Sequence, residues 1–186
     1  VRFHDSKRMI AAWNRTAQFG KSLPQCVLHG DVHLGNLYVD RAGRPEFLDG
    51  LACRGPAMLE VSYFIAASID LADRREWEGP LVRHYLDELA RHGARPPGFA
   101  DAMRQYALFQ IYGFFVWLAT ESGHQPEEVK TANLARVAQA MLDLAVLKQY
   151  RDLTEADVTS LVLDDKWGEC IRTRVIGEVN ALTLNL

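Results

Sequence analysis

Three oxygen-bearing side chains fall within one short stretch of the sequence: Asp31, Asn36 and Asp49. Asp31 and Asn36 share the string His29-Gly30-Asp31-Val32-His33-Leu34-Gly35-Asn36, directly after the apolar run Cys26-Val27-Leu28. Carboxylate and amide oxygens suit a hard cation such as Mg2+, which keeps several waters and takes phosphate oxygens as further ligands. An aspartate left off the metal can accept a hydrogen bond from an attacking hydroxyl. With Asn36 and Asp49 on the ion and Asp31 on the nucleophile, the set is a phosphoryl-transfer site. The alternation of His29, Asp31 and His33 offers a second chemistry, a transition metal in a metal-dependent phosphoesterase. That site needs further Asp, Asn and His ligands downstream, and no Gly-Asn-His-Asp string follows.

Short strands and turns have to bring these residues together. Leu37-Tyr38-Val39 and Glu46-Phe47-Leu48 read as strands, and Asp40-Arg41-Ala42-Gly43-Arg44-Pro45 between them is turn chemistry. A four-residue turn pairs Asp40 with Pro45 and so sets Asn36 opposite Asp49. Directly opposed residues in an antiparallel pair lie ~4.5–5.5 Å apart, a separation at which two oxygens share one cation. Proline cannot donate to the ladder, and a slip of one residue turns the two side chains to opposite faces.

Helices account for most of the remaining chain. An opening helix is expected over about Ser6 to Phe19, capped by Asp5 or Ser6 and stopped by Gly20, with Met9, Ile10, Trp13 and Ala17 at helical spacing. Gly55-Pro56 starts a helix to about Ile69. Asp73-Arg74-Arg75-Glu76 resembles a capping box and opens the next, ended by Gly93. A long apolar helix follows over about Ala100 to Thr120, and another from Pro126 to Lys148. Thr154 is a candidate cap for a short helix, and the tail, residues 151–186, is left unassigned. The expected fold is α+β and predominantly α-helical, with a short β-hairpin carrying the active-site loop. The order of elements is not the alternating pattern of a doubly wound sheet.

Composition narrows the functions. The chain has 186 residues, 48% of them hydrophobic, and a net charge of -3. No run of Lys and Arg marks a nucleic-acid surface, and none is expected. Cys26, Cys53 and Cys170 are odd in number and form no Cys-x-x-Cys pair, so a reducing cytoplasm is the expected compartment. The most apolar run, Ala107 to Ala119, is shorter than the ~20 residues that span a bilayer, and no membrane segment is expected. The aromatic stretch Tyr106 to Trp117 suits a core helix better than a cage for a cationic amine. Asp70, Asp73, Glu76, Glu78, Glu121, Glu127 and Glu128 read mainly as solvated helix ends rather than as a cation attractor.

The motifs carry a resemblance. Asp31-x-x-x-x-Asn36 has the spacing of the protein-kinase catalytic loop. The longer string Leu28 to Asn36, with His29-Gly30-Asp31, more closely resembles the aminoglycoside phosphotransferase and choline kinase-like family. Phe47-Leu48-Asp49 matches that family's second marker, and Gly55-Pro56 followed by Glu60 matches its third. The resemblance covers residues 1–150 and implies the C-terminal lobe of a protein-kinase-like fold, with the catalytic loop at 28–36 and a helical bundle at 56–149. It implies an ATP-dependent kinase acting on a small-molecule hydroxyl, with Asp31 as catalytic base and Asn36 and Asp49 as Mg2+ ligands. His29, Gly30, His33 and Glu60 would support the loop or the phosphates. Two positions depart from the family: Gly50 stands where an aromatic residue is usual, and Glu60 where Asp is usual, which puts the buttress of the loop in doubt.

No Gly-x-Gly-x-x-Gly occurs, and Lys7, Lys21, Lys130, Lys148 and Lys166 sit in no strand-lysine context. The N-terminal lobe that grips ATP is therefore expected as a missing partner, and the isolated chain is expected to turn over little or nothing. A non-catalytic module built on a degenerate kinase lobe is a third possibility, which the intact Asp31, Asn36 and Asp49 argue against.

Overall fold

Helix α1 (Ser6–Ser22) begins where Asp5, in extended backbone, accepts the N–H of Arg8 on its carboxylate. This is the first element of a computed structural model that describes residues 5–121 and 123–150. Gly20 does not stop the helix. It lies inside it because the helix packs closely there: a Cβ on Gly20 would stand 3.4 Å from the ring of Phe109.

Two antiparallel pairs of short strands follow. Strand β1 (Cys26–Leu28) pairs with β4 (Cys53–Gly55), and β2 (Leu37–Val39) pairs with β3 (Pro45–Phe47). The hairpin β2–β3 was expected, but its register was not. Leu37 pairs with Phe47 and Val39 with Pro45, one residue off the expected pairing. Asn36 therefore stands opposite Leu48, whose N–H donates to the Asn36 carbonyl at 2.8 Å, and not opposite Asp49. Proline decides this. The Asp40 N–H donates to the Arg44 carbonyl at 2.9 Å, so hydrogen-bonded pairs alternate outward from Asp40 and Arg44. Pro45 then falls in a non-hydrogen-bonded pair, where its missing N–H costs nothing. The tighter turn is held by the Asp40 carboxylate, which accepts the N–H groups of Ala42 and Arg44.

The pair β1–β4 was not expected from the sequence. Its consequence is that the polar loop at residues 29–36 runs between the two sheets, from β1 to β2, rather than on the hairpin itself. Close packing fixes it: a Cβ on Gly55 would lie 2.6 Å from Leu28 Cδ1.

Helices α2 (Ala57–Ser68), α3 (Leu71–Arg91), α4 (Phe99–Ala119) and α5 (Glu127–Asp143) build the body. Helix α3 starts two residues before the expected capping box, with Asp70 at its cap. Helix α5 ends earlier than Lys148: Ala145 takes a left-handed conformation at φ 50°, and a 3-10 turn at Val146–Tyr150 follows. The expected cap at Thr154 and the tail lie outside the described residues. Helix α4 is central. Ile111 and Phe115 pack with Ala12 and Trp13 of α1, while Trp117 packs with Tyr63 and Ala66 of α2 and Val137 of α5. The stretch from Tyr106 to Trp117 is thus core. Gly113 lets α2 and α5 approach α4, since a Cβ there would meet Tyr63 at 3.2 Å and Val137 at 3.5 Å.

A charge network built on one buried arginine ties the far end of the bundle. Arg74 of α3 is fully buried, and its guanidinium pairs with Glu78 at 2.5 Å and with Asp143 of α5. The Tyr106 hydroxyl donates to Glu78 at 3.0 Å, and Arg75 and Gln139 also donate to Asp143. Glu78 is therefore no solvated helix end. The Arg75 hydrogen bond, with help from Gln139 and Arg74, holds the Asp143 carboxyl at about 2, below the ordinary 3.8 and against the effect of burial. A depressed folded-state pKa stabilises the fold above the unfolded value, and this contribution is lost as pH falls from about 4 toward about 2. Asp143→Asn should remove about 1 kcal/mol of stability at neutral pH, since solvent screens this partly exposed carboxylate, and flatten the acid limb of the profile. Urea melts of both chains across that pH range check this.

Candidate active site

The loop at residues 29–36 is fixed from both ends and pinned in the middle. At its start, the main chain of His29 is fully engaged. Its carbonyl accepts the N–H groups of Leu51 at 2.7 Å and Ala52 at 3.1 Å, and its N–H donates to Glu60 Oε2 at 2.9 Å. The next N–H, that of Gly30, donates to Glu60 Oε1. One carboxylate on the first turn of α2 thus accepts from two successive backbone groups of the loop. Such charge-assisted bonds are about twice as strong as neutral ones. The extra methylene of Glu60 relative to Asp does not prevent the contact. Gly30 adopts φ 90°, a conformation that favours glycine, and a Cβ there would press on Cys53 Sγ at 3.2 Å.

In the middle of the string, Val32 is buried among Tyr63, Ala66 and Trp117. It pegs the loop onto the helices, with Asp31 on one side of it in sequence and His33 on the other. At its end, residues Leu34–Asn36 form a 3-10 turn capped by His33.

This scaffold brings Asp31 and Asn36 together. The Asn36 amide nitrogen donates to the Asp31 carbonyl at 2.9 Å and to Asp31 Oδ2 at 3.0 Å. With its nitrogen spent on Asp31, the amide oxygen is the atom Asn36 has left for a cation. His33 Nε2 lies 3.6 Å from the same Oδ2, longer than a formed hydrogen bond. The ring N–H of His33 and the Asn36 amide lower the Asp31 carboxyl from its ordinary value, although partial burial acts the other way. Asp31 is thereby kept as a carboxylate. Burial, and then the nearby charge of Asp31, push the Tyr63 hydroxyl far up, so it remains a phenol.

Asp49 is exposed and has left the strand conformation, at φ 54°. Its direction is set by that turn and not by the pleat of β3, which is why the opposed-pair argument does not reach it. Gly50 lies against His29: a Cβ on it would meet the ring at 3.3 Å. The His29 Nδ1 accepts the Asp31 N–H at 3.3 Å, and its ring packs on Phe47. Sequence reasoning missed Val32, whose apolar side chain inside a polar loop was the available signal. It also missed the β1–β4 pair that aims Glu60. Among the described residues, no three His, Cys, Asp or Glu groups gather in a way that would hold a metal. No described helix is long and apolar enough to cross a membrane.

The described fold is α+β, five helices with two small two-stranded sheets, and its polar loop is held at the junction of the sheets and α2. The model of the Phosphotransferase enzyme family, APH, matches residues 2–109, and the chain belongs to that family. No curated protein and no solved structure matches the chain.

Proposed function

We propose that the chain carries the catalytic and metal-binding half of an ATP-dependent small-molecule kinase, the C-terminal lobe of a protein-kinase-like fold. Asp31 is the acceptor base in this reading, and the Asn36 amide oxygen and the Asp49 carboxylate are the ligands for Mg2+. The observation that carries it is the placement of Asp31. Its Oδ2 accepts the Asn36 amide at 3.0 Å, on a loop clamped through two backbone N–H groups by Glu60. The donor set fits the ion, because only oxygens are offered, and the amide that offers one has its nitrogen turned away to Asp31. When bound, the ion supplies neutralisation of phosphate charge. The chain's own residues orient the acceptor. Asp31 accepts the hydrogen bond of the substrate hydroxyl and aligns its oxygen for in-line attack. It takes the proton late, because a loose transition state asks little activation of the nucleophile.

The phosphoesterase reading is disfavoured by the histidines. Both Nδ1 atoms, of His29 and of His33, already accept a backbone N–H. Incubating the chain together with the N-terminal lobe that grips ATP, and with labelled ATP, Mg2+ and a panel of amino sugars, amino alcohols and sugars, tests the proposal; the same assay on the chain alone should show little or no transfer. Phosphate transfer to at least one alcohol, abolished by chelating the Mg2+, is the expected result. Hydrolysis of phosphomonoesters supported by zinc or iron, with no transfer to any alcohol, would replace it.

A further inference from the structure

His33 is restrained on three sides. Its Nδ1 accepts the Gly35 N–H at 3.0 Å. Its ring meets Trp117 edge-on, with centroids 5.9 Å apart. Its backbone follows the buried peg Val32. Gly35 is shaped to this ring: a Cβ there would lie 2.7 Å from His33 Cε1 and 2.9 Å from Nδ1. A neutral imidazole that accepts at Nδ1 carries its proton on Nε2. That N–H is the atom facing Asp31 Oδ2 at 3.6 Å. Oδ2 also receives the Asn36 amide, whereas Oδ1 has no protein partner among the described residues.

From this geometry we infer that His33 is a positioning residue, locked by Gly35 as the Nε2–H tautomer, which with Asn36 commits Asp31 Oδ2 to the loop and leaves Oδ1 for the acceptor. His33 contacts neither phosphate nor metal in this role. It acts through Asp31, and its Nε2–H tightens on Oδ2 as the acceptor closes the site, since catalytic hydrogen bonds are often long before substrate binds. The consequence for turnover rests on the reading of Asp31 as the base, but the lock on the ring does not.

Two substitutions separate the two nitrogens. His33→Asn keeps an acceptor near the Nδ1 position for the Gly35 N–H and loses the donor toward Asp31. His33→Gln keeps a donor near the Nε2 position and loses the cap. With the ATP-binding lobe supplied, His33→Asn should melt with the wild type, while kcat falls by up to about a hundred-fold at unchanged KM. His33→Gln should melt lower yet recover most of that kcat. Gly35→Ala, which drives the ring out with His33 intact, should reproduce the His33→Asn loss. Activity that merely follows melting temperature across the three variants would overturn the inference. Long-range nitrogen–proton NMR spectra of the histidines give a readout that needs no turnover. The His33 Nε2–H tautomer is expected, and an Nδ1–H tautomer would overturn the lock. Failure to phosphorylate any alcohol with the ATP-binding lobe supplied refutes the kinase reading, and the nitrogen spectra still decide the lock.

Discussion

Asp31→Asn, assayed with the ATP-binding lobe supplied, should lower turnover by about 10²- to 10⁴-fold, the range of a lost general base, and leave the folded chain almost as stable as before. The reason lies in the unequal use of the two carboxylate oxygens. Asn36 donates to Oδ2 at 3.0 Å, and His33 Nε2 faces the same atom. An asparagine at position 31 can keep a carbonyl oxygen there and preserve both approaches. Its amide nitrogen then occupies the place of Oδ1. A hydrogen-bond donor now stands where the acceptor hydroxyl needs a base, and it cannot take the proton. The change in folding free energy should stay within about 1 kcal/mol, because no buried partner is orphaned. Steady-state kinetics with thermal melting checks both halves. Retention of wild-type kcat would remove Asp31 from the reaction, and a collapse of the melting temperature would make its role structural.

The same residues show how much was legible beforehand. The helices were readable because their signals are local: Asp5 caps α1, proline opens α2, and Gly93 at φ 83° ends α3. The loop at residues 29–36 was readable as a candidate site because residue type and spacing alone suggest it. The partners that aim the string were not readable. Glu60 lies 30 residues from Gly30 and reaches it only because β1 pairs with β4, two three-residue strands too short for periodicity to register. The hairpin register turned on a single residue, Pro45, whose missing hydrogen bond selects one of two pairings that differ by one position. The early end of α5 at Ala145 is set by the packing of Val146, Leu147 and Tyr150 into the α1–α4 core, and no glycine or proline announces it.

Glu60 also bears on the two departures from the family pattern. The longer carboxylate still meets both backbone N–H groups, so the buttress is present with Glu in the place of Asp. Gly50 lies under the His29 ring, which rests against Phe47, and Phe47 in turn packs on Phe64 of α2. An aromatic contact at this corner is thus supplied by Phe47 and His29 rather than by position 50. Neither departure removes an oxygen from the set formed by Asp31, Asn36 and Asp49.

Asp49→Asn and Asp49→Ala should both reduce Mg2+-dependent turnover by at least about a hundred-fold, because the ion is worth several kcal/mol in the transition state and each variant removes its charged ligand. They should differ in stability. Residue 49 sits at φ 54°, in the left-handed region that asparagine and aspartate visit far more readily than alanine. Asp49→Asn should therefore melt with the wild type, and Asp49→Ala should lose about 1 kcal/mol from backbone strain alone. The pair separates charge from conformation. If the carboxylate serves the ion, both variants are inactive at ordinary Mg2+, and raising Mg2+ recovers part of the activity in each. If residue 49 serves only the turn, Asp49→Asn keeps full turnover and Asp49→Ala alone is impaired. Titrating Mg2+ in the transfer assay, with melting curves alongside, distinguishes the two. The second pattern would take Asp49 out of the metal site and leave Asn36 as its only protein ligand, too few to hold the ion without the nucleotide's own phosphates.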